Sequence, residues 1–425
     1  MSISGRSWVT NTAVIILALS VLTGINYALI SLEPRIGRGF LIPWVANRFL
    51  LEGKSPYNDE TSQKIEELAY HQADLAEERE LRFVMPLYAS IVMIPFSLIP
   101  EFNLARAVWL SVSELLLLLS SFLILKLTEI SYSHKSFYLL SFIFSSIWYF
   151  SLFPVINGHV VILVSFFLIL TIFLIKTGYD EIAAAFLALS FIKPHLVWLI
   201  ALFILIWMLA QQRWQFFVWF ISIFAILVIV SFIILPDWLI QYLREFYRYA
   251  QYNRISINFP TLITPKGGLI TRITPFLSLI VGILLFIEWV QSSKSDFMRF
   301  LWVISLTLCI SLWLTPKSSP GNYILLTLPL LLFFSTLNKR LSNNNRYFIY
   351  IFILVVFLYS WIGAFYPFLM SKRSLSEAWF SSHQQWFPLL LLVIILLYWI
   401  RWWITSKRYP QLEDWKKEFK RFSSR

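Results

Sequence analysis

Apolar residues run for close to 20 positions at a time along most of this chain, and each run ends at charge, proline or asparagine. A hydrocarbon layer about 30 Å thick is crossed by roughly 20 helical residues, and in it a helix satisfies its own backbone groups. The runs therefore predict membrane-spanning helices at 12–31, 83–99, 103–126, 136–156, 159–176, 181–210, 215–235, 274–291, 297–315, 322–337, 347–367 and 386–404, a total of 12. The run 181–210 is too long for one upright helix and is interrupted by Lys193-Pro194-His195. Two short helices in its place raise the count to about 13, so the fold class is an all-α polytopic integral membrane protein of about 12–13 transmembrane helices. An even count returns the chain to the side on which it starts, an odd count does not, and the side of 127–214 stays open.

Three hydrophilic stretches separate the runs. The first, 33–82, holds 10 of the 23 acidic residues and forms a large loop, external if the first span starts inside. Within it Phe40–Leu51 is apolar on one helical face and too short to cross, which predicts a helix lying in the membrane interface. The run Glu66 to Glu80 suits a solvated helical face, with Lys64 and Arg79 as ion-pair partners. The second stretch, 236–273, carries Arg244, Arg248, Arg254, Lys266 and Arg272, is external on the 12-span count, and is amphipathic from Trp238 to Ile255. Its arginines fit either a funnel for lipid phosphates or a helix resting on anionic headgroups. The third, 368–385, carries Lys372, Arg373, Glu377 and His383. Residues 1–404 thus form a single membrane domain, and 405–425 a basic cytoplasmic tail.

Composition removes the soluble alternatives. With 58% hydrophobic residues, 14% charged and a mean hydropathy of +0.71, the chain has more apolar surface than one soluble core hides. The net charge of +12 does not form a stripe on a soluble face, so no nucleic-acid partner is expected. Basic residues sit at the ends of apolar runs and concentrate beyond Arg401, which the positive-inside rule assigns to the cytoplasm. Ala13 to Ile30 follows Arg6 as a secretory signal would, but its near-span length and the lack of a convincing small-residue cleavage site make it an uncleaved first span. The single cysteine, Cys309, lies in an apolar run and can form no intrachain disulfide.

Motifs of soluble enzymes are missing: there is no phosphate-cradling glycine loop, no HExxH, no paired CxxC and no GxSxG. Ionisable groups near membrane depth are costly and mark function by default, which singles out His159, Lys193 and His195. Lys193-Pro194-His195 breaks an apolar helix, either to expose polar groups to a phosphate or as a proline kink whose lysine snorkels to the interface. Arg38 and Arg82 flank the first loop and can hold phosphate or pair with its acids. Glu52 and Asp59 are more ordinary loop carboxylates.

Several segments, in order, resemble a known family. Phe49-Leu50-Leu51-Glu52-Gly53-Lys54-Ser55-Pro56-Tyr57-Asn58-Asp59 is similar to the "ALLEGxxPYD" signature of the polyprenyl-phosphate-sugar-dependent glycosyltransferases of family 87. Met85-Pro86 with Leu98-Ile99-Pro100 resembles its "YPP…LPLALLP", and Ala105-Arg106-Ala107-Val108-Trp109 its "ARALW". Phe153 to His159 resembles "SPVLxxLxxGQ", Ile192-Lys193-Pro194-His195 with Gln212-Arg213-Trp214 resembles "IKPxP…RRW", and Pro320-Gly321-Asn322-Tyr323 before Leu325 to Pro329 resembles "PYDxxLLLLP".

The resemblance, over roughly 35–335, implies a GT-C-like architecture in an inner or plasma membrane and transfer of a hexose, mannose first, from a polyprenyl phosphate donor to a lipid or glycan acceptor at the external face. It implies no cofactor and no metal. The acceptor hydroxyl must lose a proton as it attacks, for which the family uses an acidic residue, but Gly39 stands at that position. The family's "GQ" is Gly158-His159, the tyrosine before Pro86 is Met85, and the aspartate of the later loop is Asn322. Glu33, six residues before Gly39, becomes the candidate base, and Arg38, Arg82, His159, Lys193 and His195 the candidate phosphate or substrate ligands. The alternative is a catalytically inactive relative that binds or translocates polyprenyl-linked lipids. A secondary transporter fits less well, because no internal repeat relates the two halves.

Overall fold

The computed structural model describes residues 5–70, 81–132, 134–252, 269–315, 319–341, 346–371 and 387–406. Among the described residues all regular structure is helical, and 7 helices are long and apolar enough to cross a membrane, joined by shorter apolar ones. The chain is an all-α polytopic membrane protein. The basic tail from 407, Arg254, Arg79 and most of the third hydrophilic stretch lie outside the described residues.

Helices α1 (Gly5–Leu32) and α5 (Phe102–Leu127) run antiparallel. Near one face the Arg106 guanidinium donates to the Pro34 carbonyl at 2.9 Å, and deeper Asn26 donates to Ser111 at 3.0 Å and to Glu114 at 3.2 Å. Since α5 starts where α1 ends, everything from 33 to 101 leaves and returns to the same face. This segment folds as a 3-10 turn (Arg38–Phe40), α2 (Leu41–Leu51), α3 (Asp59–Tyr70) and α4 (Ala89–Ser97).

The expected span at 83–99 is therefore corrected. Only nine of its residues are helical, about 14 Å of rise, and Phe83, Leu87 and Tyr88 are buried against protein. The apolar character serves packing: α4 lies on α2, and the Trp44 indole donates to the Ile99 carbonyl at 3.2 Å. Helix α2 is likewise covered by protein, with Leu41, Pro43, Trp44, Val45, Ala46 and Asn47 buried, rather than lying half in lipid. Helix α3 takes in only the start of the expected solvated run, 71–80 lying outside the described residues; it buries Ile65 and Ala69 while Lys64 pairs with Glu67 at 2.8 Å.

After α5 the chain turns at the opposite face. Helices α6 (Lys135–Ile147) and α7 (Tyr149–Ile156) form one pass, broken at Trp148, where ψ is 155°. Helix α8 (Val161–Thr177) returns, and Lys176 donates to the Lys126 carbonyl at 3.2 Å. Helices α9 (Asp180–Ser190) and α10 (Pro194–Ala210) then form a hairpin in place of one long span. Both its feet stand on this face: Arg213 binds Asp180 at 2.8 Å and the Ile175 carbonyl at 3.2 Å. Its tip, 191–195, reaches the other side, where Tyr88 donates to the Phe191 carbonyl at 3.2 Å and Ser311 to the Leu196 carbonyl at 2.8 Å.

Helix α11 (Trp214–Ile234) crosses to α12 (Trp238–Tyr252), an amphipathic helix beside the first loop. The chain continues through α13 (Leu269–Ser292), α14 (Phe297–Leu314), a 3-10 segment (Pro320–Leu326) merging into α15 (Thr327–Arg340), α16 (Tyr347–Ser371) and α17 (Phe387–Ser406). Followed through these contacts, the described helices make twelve passes. Helices α14 and α15 are central, while α1 and α11 turn most of their surface outward.

Cations collect where the chain turns after α5. Lys126, Lys176, Arg213, Lys294, Lys339, Arg340, Arg346 and Arg401 gather on the face that holds the hairpin's feet, where Lys339 also pairs with Glu129 at 2.7 Å and Arg340 donates to the Trp403 carbonyl at 3.2 Å. Just inside it, Glu288 of α13 takes Arg299 of α14 and, at 2.8 Å, Arg401 of α17, which ties three passes together. We call this the basic face and the opposite one the loop face.

Candidate active site

The first loop is stitched to the turn between α7 and α8. The Gly37 amide donates to the Ile156 carbonyl at 2.7 Å, the Gly39 amide to the Asn157 carbonyl at 2.8 Å, and the Trp109 indole to the Gly158 carbonyl at 3.0 Å. Two residues on this seam need left-handed backbone, Gly37 with φ 73° and Gly158 with φ 70°, a region that glycine enters without a Cβ clash. Approach is close as well: a methyl group on Gly158 would lie 2.6 Å from the Gly37 carbonyl oxygen.

His159 is wedged into this seam. A methyl group on Gly39 would meet the imidazole Cδ2 at 2.8 Å and the Asn157 carbonyl at 2.5 Å, and one on Gly321 would meet the imidazole Nδ1 at 2.8 Å. The ring is thus held between the first loop and the 3-10 segment, with the Phe153 ring edge-on at 5.6 Å. It keeps partial solvent access. Around it Phe40 stacks on Trp109 at 5.1 Å and Phe150 on Tyr323 at 5.2 Å, so rigid aromatic rings set the walls.

Arg38 follows Gly37 on the same seam, and its charge bears on Arg106, which is 1% exposed, donates to the Asn103 side chain at 2.9 Å and lies over the Phe102 ring at 5.0 Å. Arg106 has no assigned role in the sequence, and its place as a lone cation inside an apolar run is the signal that marks it. Glu33 sits at the end of α1, half-buried, and its carboxylate accepts the Arg35 amide at 3.2 Å. It caps its own turn.

Arg82 does what the second of its two readings foresaw. Its guanidinium bonds Asp59 at 2.9 Å and Glu245 of α12 at 2.8 Å, so it pairs with acids. Glu245 also meets Arg244 at 3.3 Å and Arg248 at 3.5 Å, which turns two arginines of the amphipathic helix toward a carboxylate. The Arg82 hydrogen bond holds the Asp59 carboxyl below the usual carboxylate range. Ser55 bonds Gln241 beside this cluster, completing a clasp between the first loop and α12. The apolar side of α12, Leu239, Ile240, Leu243, Phe246 and Tyr247, stays exposed, as suits a helix at a lipid surface.

Lys193 and His195 stand at the hairpin tip on the loop face. Pro194 opens α10, where its missing amide hydrogen costs nothing, and Lys193 is the residue before it. Protein surrounds both side chains densely, yet Lys193 is half-exposed and His195 exposed, the combination expected of groups lining a re-entrant hollow. The N-terminus of α10 adds a partial positive charge at the same point. Of the six candidates, then, Arg38 and His159 meet on one seam, Lys193 and His195 share the hairpin tip, Arg82 is engaged in the clasp, and Glu33 lies apart. Among the described residues no three of His, Cys, Asp and Glu come together as a metal cage.

The model of glycosyltransferase family 87 matches residues 83–316, more than half the chain and all of α4 through α14. The chain belongs to glycosyltransferase family 87. The family match takes in His159, Lys193, His195 and Arg106, while Glu33, Arg38 and Gly39 precede it. No curated protein and no solved structure matches the chain. As a family 87 member it is a membrane glycosyltransferase, with a donor, an acceptor and a multi-pass membrane setting.

Proposed function

We propose that this glycosyltransferase moves a hexose, mannose first, from a polyprenyl phosphate to a lipid or glycan acceptor at the external face of the cell membrane. The observation that carries the reading is the hairpin tip, where a lysine, an imidazole and a helix N-terminus come together on the loop face. The positive-inside rule puts the basic face in the cytoplasm and therefore the tip outside.

The chemistry asks for such a place. As an acceptor hydroxyl attacks the anomeric carbon, the bond from that carbon to the phosphate oxygen breaks and its electron pair stays on the phosphate. A phosphodiester with one negative charge becomes a monoester with up to two, so the leaving side gains most from fixed cations. Lys193 supplies one at the tip, where the His195 imidazole and the α10 N-terminus add hydrogen-bond donors, and Arg38 offers a further cation on the seam. The exposed apolar side of α12 offers a place for the lipid chain at the rim.

The test is transfer of radiolabelled mannose and glucose from their polyprenyl phosphates into lipid extract by the purified protein in detergent. Transfer should appear with one of the two donors, and the double change Lys193→Ala and His195→Ala should lower it at least tenfold with the thermal midpoint kept. Unchanged transfer by that variant sinks the phosphate site. Donor binding with no transfer at all marks a non-catalytic lipid binder instead.

A further inference from the structure

We infer that His159 is the group that takes the proton from the acceptor hydroxyl. The inference rests on the transfer reaction proposed above and assigns a residue to its other half, the attacking side.

Apart from the exposed Glu52, the described carboxylates of the loop face are occupied. Glu33 accepts the Arg35 amide at 3.2 Å, Glu60 pairs with Lys54 at 2.6 Å, and Glu66 accepts the Leu81 amide at 3.1 Å. Asp59 and Glu245 belong to the Arg82 clasp, Glu101 caps α5 through the Asn103 and Leu104 amides, and Asp237 accepts from Gln241 at 2.6 Å. Each already accepts from a donor of this chain, which an acceptor hydroxyl would have to displace. Glu52 lies exposed at the end of α2, away from the seam. The imidazoles among the described residues of this face are His159 and His195, and imidazole is the side-chain type suited to taking up and releasing a proton.

Geometry separates the two. His195 adjoins Lys193, on the side assigned to the phosphate. His159 is on another element, and the fold gives up two Cβ atoms for it, at Gly39 and Gly321. Gly39 and Gly321 approach the ring closely from two sides, so the imidazole is placed by the fold itself, which is what a positioned base requires. The same contacts explain why no acid stands at residue 39: any side chain there would strike both the imidazole and the Asn157 carbonyl.

The step balances without another reactant. A lone pair of the acceptor oxygen forms the new bond to the anomeric carbon, the old carbon–oxygen bond releases polyprenyl phosphate, and the acceptor proton moves to the imidazole. The imidazolium then returns the proton to water or to the released phosphate.

The experiment compares wild type, His159→Gln, His159→Ala and Glu33→Gln in the radiolabel assay, with donor binding and thermal midpoint measured on each. His159→Gln should lose about 10²–10⁴-fold in transfer rate while binding donor within a few-fold of wild type, and added imidazole should restore part of the activity of His159→Ala. A structural role would not be rescued in that way. Transfer by His159→Gln within a few-fold of wild type overturns the inference, as does loss confined to Glu33→Gln, which returns the proton to Glu33. No transfer by the wild type sinks the reaction itself and the inference with it.

Discussion

Arg82 and Glu245 are 163 residues apart in the chain, and the guanidinium of one donates to the carboxylate of the other at 2.8 Å. Glu245 is 1% exposed, so the bond closes the first loop onto α12 around a charge with almost no access to water.

Replacing Arg82 with alanine should lower the stability of the protein in detergent by about 1–3 kcal/mol, the usual cost of leaving a buried polar group short of its partner. Arg244 and Arg248 remain near Glu245 and limit the loss. The double change Arg82→Ala and Glu245→Gln should recover part of it, because the uncompensated charge is gone. Thermal midpoints of the four proteins measure the coupling directly, and additive losses would refute the pair.

Asp59 adds a pH dependence. Its carboxyl is held below its unfolded value, first by the Arg82 hydrogen bond. A group with a depressed folded pKa stabilises the fold above the unfolded value, near 4, and loses that contribution as pH falls through the folded one. The stability difference between wild type and Asp59→Asn should therefore be present at pH 5–7 and vanish in stronger acid. Asp59 is well exposed, so the difference is small, about 0.2–1 kcal/mol, and high salt should shrink it further. A difference that grows toward acid pH would contradict this assignment.

Gly39→Ala should be disproportionately harmful for one methyl group. The added carbon meets the Asn157 carbonyl at 2.5 Å, and backbone cannot rotate away as a side chain can. The seam between the first loop and the α7–α8 turn must open, at about 1–3 kcal/mol of overpacking strain. The thermal midpoint should fall and transfer with it, whereas Gly53→Ala, where a methyl group meets nothing within 4 Å, should show only the cost of its left-handed backbone.

Much of this was legible in the sequence, the two short helices within 181–210 included, and the departures at 83–99 and at α2 have one cause. Hydropathy reports that a segment is apolar, not whether lipid or protein covers it. The stretch 83–99 is apolar because α4 and the residues before it are buried against α2, and 181–210 is apolar because two passes lie end to end across Lys193-Pro194-His195. The first removes a crossing and the second adds one, so the described helices make twelve passes and α12 lies on the same face as the first loop. Candidate chemistry followed the same rule. Residues marked by local pattern, such as the helix break at Lys193, were found from sequence alone. What Arg82 bonds, and what crowds His159, depends on partners more than a hundred residues away, which no window along the chain contains.

The hairpin has a last consequence, set by its height. Its arms of 11 and 17 residues rise about 16 Å and 25 Å from the basic face, short of the roughly 30 Å of hydrocarbon. The tip therefore stands somewhat below the level of the headgroups. Under the transfer proposed above, a donor riding on an isoprenoid tail would meet it sideways, through the plane of the membrane.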